Sequence, residues 1–253
     1  MITRNLSAAA GAFETMRVYR GTPFAWRRHA ERLGAAASAL GLAPPDPTNL
    51  RDAVGAVLQA NGFVDARVRV TLVGAPGGRD SDIIVAASAL TALQPTASVV
   101  SASWPRNERA ATAGVKSISY ADNIRAFADA RARGADEAIF ANTRGELCEA
   151  TGSNVFVVDR ETVRTPPEGA GCLLGITRAL VLELCTAHGI PAAETDLPLR
   201  AITDADEAFL TSTTREVQAI AAVDGRPRAT TPGPVTIRLA SMFAELVTQN
   251  LDP

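Results

Sequence analysis

Between positions 67 and 72 the chain alternates without a break: Val68, Val70 and Leu72 interleave with Arg67, Arg69 and Thr71. A period of two sends successive side chains to opposite faces, so this segment is a strand with one face buried and one in water. Residues 12–18 read as a second strand, closed by the turn residues Arg20-Gly21-Thr22-Pro23. Residues 26–40 are rich in Ala and Arg and stop at Gly41, as a helix does; Leu50, Val54, Val57 and Leu58 recur at helical spacing before Asn61-Gly62. Ala75-Pro76-Gly77-Gly78 is a turn before a strand over 83–87.

Residues 103–114 mix Pro105, Asn107 and Gly114 with charges and lack periodicity, which marks an inter-domain connection. Beyond it the spacing predicts helices over 118–133, 176–188 and 237–247, and strands over 138–140, 155–158 and 208–211. Strands are at least as many as helices in both halves, and βαβ units do not alternate regularly. The expectation is an α+β chain of two domains, a small one over 1–104 and a larger one over 115–253, joined by 105–114.

At 253 residues and 47% hydrophobic, the chain can bury a sizeable core. A net charge of -2 without runs of one sign gives no electrostatic case for nucleic acid or an anionic membrane. No apolar run has bilayer length and the first residues carry no signal-type hydrophobic region, so the expected location is cytoplasmic. Cys148, Cys172 and Cys185 are odd in number and form no CxxC pair, which fits free thiols in a reducing compartment. With only His29 and His188, and no Cys/His cluster, no metal site is expected.

One residue stands apart. Lys116 is the only lysine among 25 basic residues; the other 24 are arginine. Arginine serves for charge, ion pairs and carboxylate contacts, but it does not give up its proton to become a nucleophilic amine. A lysine amine attacks carbonyls, so Lys116 is a candidate covalent catalyst. Three more features of the second half fit one cofactor. Glu149, within Cys148-Glu149-Ala150-Thr151-Gly152-Ser153-Asn154, sits in what reads as a polar turn, where a carboxylate can hold a heterocyclic nitrogen protonated. Gly175-Ile176-Thr177 opens a helix, whose free N–H groups suit a phosphate. Ser212-Thr213-Thr214 adds hydroxyls after a strand. Amine, carboxylate and phosphate cradle together match pyridoxal 5'-phosphate.

Blocks in order along nearly the whole chain then resemble one family. They are Gly11-Ala12-Phe13-Glu14-Thr15-Met16-Arg17-Val18, His29-Ala30-Glu31-Arg32-Leu33, Lys116, Gly145-Glu146-Leu147-Cys148-Glu149-Ala150-Thr151, Gly175-Ile176-Thr177-Arg178 and the stretch 211–217. The chain resembles the class IV aminotransferases, the fold-type IV pyridoxal-phosphate enzymes. That group includes branched-chain and D-amino-acid aminotransferases and 4-amino-4-deoxychorismate lyases. The resemblance implies that Lys116 is the Schiff-base lysine and proton shuttle, and that Glu149 is the partner of the pyridine nitrogen. It implies that Arg32, Ile176, Thr177 and Thr213, with Ser212 beside them, bind the phosphate. It also implies that Leu173 packs on the ring and that Tyr120 lies near the cofactor; His29 is expected to pack rather than react. A homodimer is implied as well.

Lys116 and Glu149 serve transamination and lyase chemistry alike. Branched-chain enzymes read Phe-Glu-Gly-Ile-Arg where this chain has Phe13-Glu14-Thr15-Met16-Arg17, which lowers that reading. D-amino-acid aminotransferases carry Arg-x-His in a loop that is Gly77-Gly78-Arg79-Asp80 here. The expected substrate-side residues are Phe13, Arg17, Arg79, Tyr120 and Thr214, with Arg17 or Arg79 as the carboxylate trap. The sequence lacks the Gly-Asp-Gly lead-in to Phe13 of its relatives, so the pocket is expected to differ in depth. The expected activity is transamination between a D-amino acid and an α-keto acid; aminodeoxychorismate lyase is the alternative, and branched-chain L-amino acids come third.

Overall fold

The computed structural model describes residues 10–75 and 80–253. The expected turn residues Pro76, Gly77 and Gly78, and Arg79, lie outside the described residues. The chain is mixed α+β and forms two compact units. The first takes the chain up to Thr91, then Val115–Ser119 and Asn250–Pro253; the second takes Ala92–Gly114 and Tyr120–Gln249. By packing, the stretch that carries Lys116 belongs to the first unit, although in sequence it follows the connection expected at 105–114.

In the first unit β1 (Ala10–Tyr19), β2 (Thr22–Pro23), β3 (Ala66–Gly74) and β4 (Ser81–Ala89) form an antiparallel sheet of order β2-β1-β3-β4, with helices α1 (Trp26–Ala39) and α2 (Pro47–Asn61). The alternation read in the sequence is what sorts the sheet's faces. Ala12, Met16 and Val18 of β1 and Ala66, Val68, Val70 and Leu72 of β3 are at most 1% exposed, and they pack with Leu33, Leu50, Val54 and Leu58 of the helices. The register pairs Phe13 with Thr71, Thr15 with Arg69 and Arg17 with Arg67, so these residues share the opposite face. Helix α2 starts three residues before its first apolar position. The Asp46 carboxylate accepts from the Thr48 and Asn49 N–H groups at 3.0 and 2.9 Å, and Pro47 occupies the first turn. Helix α1 has no side-chain cap of its own. Its Arg27 N–H donates instead to Asp252, and the Ala25 N–H to the Leu251 carbonyl.

The second unit holds β5 (Thr96–Ser101), α3 (Ala121–Ala132), β6 (Glu137–Ala141), β7 (Leu147–Ala150), β8 (Asn154–Asp159) and β9 (Thr162–Thr165). There follow α4 (Ile176–Ala187), β10 (Ala192–Glu194), α5 (Ala201–Asp204), β11 (Glu207–Ser212), β12 (Glu216–Val223), β13 (Arg226–Pro227) and α6 (Pro234–Gln249). Its sheet runs β10-β9-β8-β11-β12-β5-β6-β7, with β13 on β12; β9/β10, β5/β12 and β5/β6 are parallel and the other pairs antiparallel.

Two expectations are corrected here. The helix expected from 118 begins at Ala121, because Ser117 bridges to Ala12 and the Ile118 N–H donates to the Gly11 carbonyl at 2.9 Å. Backbone groups spent on a strand partner are not available to a helix. Glu149, read as a turn residue, lies on strand β7, and the turn is the 151–153 stretch that follows.

Candidate active site

Lys116 is held by its backbone. Its carbonyl accepts from the Phe13 N–H at 3.0 Å, and the flanking bridge from Ser117 to Ala12 lays the segment along β1. Gly11 permits this approach: a Cβ there would stand 2.6 Å from Ile118 Cδ1 and 2.7 Å from the Leu72 carbonyl. The Lys116 amine lies 4.5 Å from the centroid of the Phe13 ring, and the Arg69 guanidinium lies 3.7 Å from the same ring. Arg17 stacks on Tyr19 at 4.5 Å. The Phe13 ring attracts both cations and so helps to hold the Lys116 amine and the Arg69 guanidinium in place. In the sequence Arg69 is only the polar half of an alternating strand. Its signal was there, since the parity of its partner Thr15 puts it on the face of Phe13 and Arg17.

Behind that sheet Arg32 is committed to Glu14, through Nε to Oε1 at 2.7 Å and Nη2 to Oε2 at 2.8 Å. The His29 ring nitrogen Nδ1 meets Glu14 Oε2 at 2.7 Å. Burial alone would raise the Glu14 carboxyl, but the Arg32 charge and the hydrogen bonds from Arg32 and His29 outweigh it and bring it down to about 2. His29 is pushed down, by burial first and by Arg32 and Lys116 as well, against the pull of Glu14. Its role is packing and orientation of Glu14.

Both shifts destabilise the fold in acid. Unfolded His29 takes up a proton below about 6.5 that the buried ring refuses, and unfolded Glu14 does so below about 4.5 while the folded carboxylate resists to about 2. We expect the stability advantage of the parent over Glu14→Gln to be fully present near neutral pH and to shrink as pH falls from 4.5 toward 2. Denaturant unfolding of both proteins across that range checks it. An advantage independent of pH would mean that the carboxylate charge contributes nothing.

In the second unit the Glu149 carboxylate is anchored at both oxygens. Oε2 accepts from the Leu173 N–H at 2.9 Å, and Oε1 stands 3.3 Å from Arg106 Nη2. Arg106 stacks on Phe140 at 4.5 Å and donates to Asn123 at 3.2 Å. The Tyr120 hydroxyl and the Asn123 amide both donate to the Thr151 carbonyl at 2.7 Å. Burial and the charges of Glu149 and Glu137 push the Tyr120 phenol up to about 12, so it stays protonated and acts as a donor to that turn.

Helix α4 opens at Gly175 without a side-chain cap, leaving the first-turn N–H groups at Ile176 and Thr177 for another acceptor. A Cβ on Gly175 would lie 2.0 Å from Asn154 Oδ1, and the Asn154 amide donates to the Leu173 carbonyl at 2.7 Å. Thr211 pairs with Asn154 across β11 and β8 and so shares its face. Its hydroxyl is buried and makes no hydrogen bond within the described residues. Ser212, Thr213 and Thr214 follow in a half-buried turn, in which Ser212 Oγ accepts from the Arg215 N–H at 3.3 Å.

Uncapped amides and an orphaned hydroxyl form a donor set suited to a phosphate, and Glu149 is an acceptor suited to a protonated ring nitrogen. The residues present therefore fit pyridoxal 5'-phosphate. The three thiols are free, buried and pushed up by burial, Cys172 to about 12 and Cys185 to about 11, so none is poised as a nucleophile. Among the described residues no helix is long and apolar enough to cross a membrane.

The family model for amino-transferase class IV matches residues 11–223, which takes in every block above. The chain belongs to the class IV aminotransferase family. It is 31% identical over 268 residues to a branched-chain-amino-acid aminotransferase of Pseudomonas aeruginosa, covering 98% of this chain and 87% of the relative. It is 29% identical over 257 residues to a D-alanine aminotransferase of Listeria monocytogenes, covering 94% and 87%. The crystal structure of a putative 4-amino-4-deoxychorismate lyase from Legionella pneumophila superposes with a TM-score of 0.87 at 27% identity, covering 93% of this chain and 90% of that one. Class IV aminotransferases use pyridoxal phosphate and act on amino and keto acids. The fold is that of the fold-type IV enzymes.

Proposed function

We propose that this protein is a pyridoxal-phosphate-dependent transaminase that moves an amino group between an amino acid, D-amino acids first, and an α-keto acid. The observation that carries the reading is Lys116: the sole lysine amine of the chain, pinned by its carbonyl to β1 and held against the Phe13 ring. When bound, pyridoxal phosphate supplies an aldehyde for that amine and a ring that takes up the electron pair left at the substrate α-carbon. Lys116 would be the residue that holds the aldehyde, and its freed amine would be the general base for the proton of the substrate α-carbon.

Glu149 accepts the N–H of the ring nitrogen and keeps it protonated. Its two anchors, Leu173 and Arg106, fix where the carboxylate points. Leu173 packs on the ring. Arg32, steered by Glu14, binds the phosphate, as do the amides of Ile176 and Thr177 and the hydroxyls of Ser212 and Thr213. On the substrate side we assign Phe13, Tyr120 and Thr214 to the pocket and Arg17 or Arg79 to the carboxylate. Arg69, on the face shared with Arg17, is a third candidate for that role. A buried carboxylate without a cationic partner is costly, and apart from Lys116 the cations of this chain are arginines. The protein acts as a homodimer.

The lyase reading is kept second because the Legionella structure covers nearly the same length of chain. Incubation with D-alanine plus 2-oxoglutarate, with L-leucine plus 2-oxoglutarate, and with aminodeoxychorismate alone separates the readings. Pyruvate together with glutamate in the first arm supports the proposal. Pyruvate and 4-aminobenzoate in the last arm, with no amino transfer in either other arm, replaces it with the lyase. Turnover confined to L-leucine replaces it with the branched-chain activity.

A further inference from the structure

Glu137 opens β6 and is 3% exposed. A carboxylate taken out of water is tolerated only when donors replace the solvent, and this one receives four. Oε2 accepts from the Thr151 hydroxyl at 2.9 Å and the Gly152 N–H at 2.8 Å; Oε1 accepts from the Ser153 hydroxyl at 2.6 Å and from Arg215 Nε at 2.7 Å. The donors come from two separate turns. One, 151–153, lies immediately beyond the β7 strand that presents Glu149, and its Thr151 carbonyl also takes the Tyr120 and Asn123 donors. The other closes the 212–215 turn between β11 and β12. Arg215 also donates to the Gln218 side chain, which donates in turn to the Gln94 carbonyl at 2.6 Å. The reaction proposed above uses neither Glu137 nor Arg215.

We infer that Glu137 is a positioning residue that locks the turn beyond Glu149 and the 212–215 turn into one rigid piece, and so holds Ser212 and Thr213 ready for the phosphate. The inference rests on the phosphate role proposed for those two residues. Charge-assisted bonds to a single buried acceptor fix both turns before any ligand arrives, so binding does not have to order them. A loose 212–215 turn would still meet the phosphate, but each binding event would carry the entropic cost of ordering it. The effect should therefore fall on the phosphate and leave the ring largely untouched.

The test compares pyridoxal 5'-phosphate with pyridoxal, which has the same ring and aldehyde and no phosphate. Dissociation constants are measured on the full chain freed of cofactor, for the parent, Glu137→Gln and Arg215→Met, beside amide hydrogen exchange of 212–215. In Glu137→Gln the constant for pyridoxal phosphate is expected to rise about tenfold or more, the scale of a lost charge-assisted contact. That for pyridoxal should change by less than about twofold, and residues 212–215 should exchange faster. Arg215→Met should move the same ratio in the same direction, and it decides the matter if Glu137→Gln does not fold. Arg215→Lys, which returns a cation to Oε1, should recover part of the loss. Equal weakening of both ligands, or no weakening with unchanged exchange at 212–215, overturns the inference. A parent protein that binds neither ligand defeats the cofactor reading instead; the exchange of 212–215 in Glu137→Gln then still decides whether Glu137 locks that turn.

Discussion

Lys116→Ala is expected to yield a folded protein whose turnover is about 10⁴-fold below the parent, the scale set by removing a general base that is also the covalent anchor. The fold survives because Lys116 is tied into the first unit through its backbone. The Phe13 N–H still meets the carbonyl of residue 116, and the bridge from Ser117 to Ala12 is untouched. Removing the amine takes away one cation from the Phe13 ring, while Arg69 remains on it at 3.7 Å. Circular dichroism should be that of the parent. Borohydride reduction followed by peptide mapping should find the cofactor on the Lys116 peptide of the parent and nowhere in the variant. Turnover near the parent level in Lys116→Ala would end the reading of Lys116 as the reacting amine.

Glu149→Gln should keep the cofactor and lose about 100-fold or more in the rate of α-proton transfer, as expected for a pre-organised charge aimed at a developing one. Glutamine can still accept the Leu173 N–H, so the β7 strand and the turn after it have no cause to move. What disappears is the negative charge that faces Arg106 Nη2 at 3.3 Å and that is proposed to keep the ring nitrogen protonated. Single-turnover kinetics at saturating cofactor separate this from weaker binding. An unchanged rate would leave Glu149 a structural partner of Leu173 and Arg106 and nothing more.

Both of these residues were legible in the sequence for reasons that do not depend on the fold. A lone lysine among arginines stands out by its chemistry, because only its amine can react with a carbonyl. Glu149 stood out by its place in an ordered set of blocks. Its local setting is not legible there, since Cys148-Glu149-Ala150 is short and polar at one end and the pairing of β7 with β6 is a matter of tertiary contact. Glu137, Arg106, Arg69 and Asn123 were not singled out at all. Each carries an ordinary side chain at an ordinary position in the sequence, and what distinguishes them is the partner that faces them across the fold.

By itself the sequence determined the family, the mixed α+β class, the alternating strand that divides one sheet into a buried face and an arginine face, and the amine. Those follow from local chemistry, because period, turn residues and side-chain type are properties of a short stretch of chain. Only the tertiary structure decided that Lys116 lies along β1 and that the following helix waits until Ala121, because the backbone partners at Gly11, Ala12 and Phe13 are about a hundred residues away. It likewise decided that Asp252 caps a helix starting at Trp26, and that one buried carboxylate at 137 gathers turns at 151–153 and 212–215. Hydrogen-bond partners distant in sequence leave no periodic trace in it, so they become visible only once the chain has closed on itself.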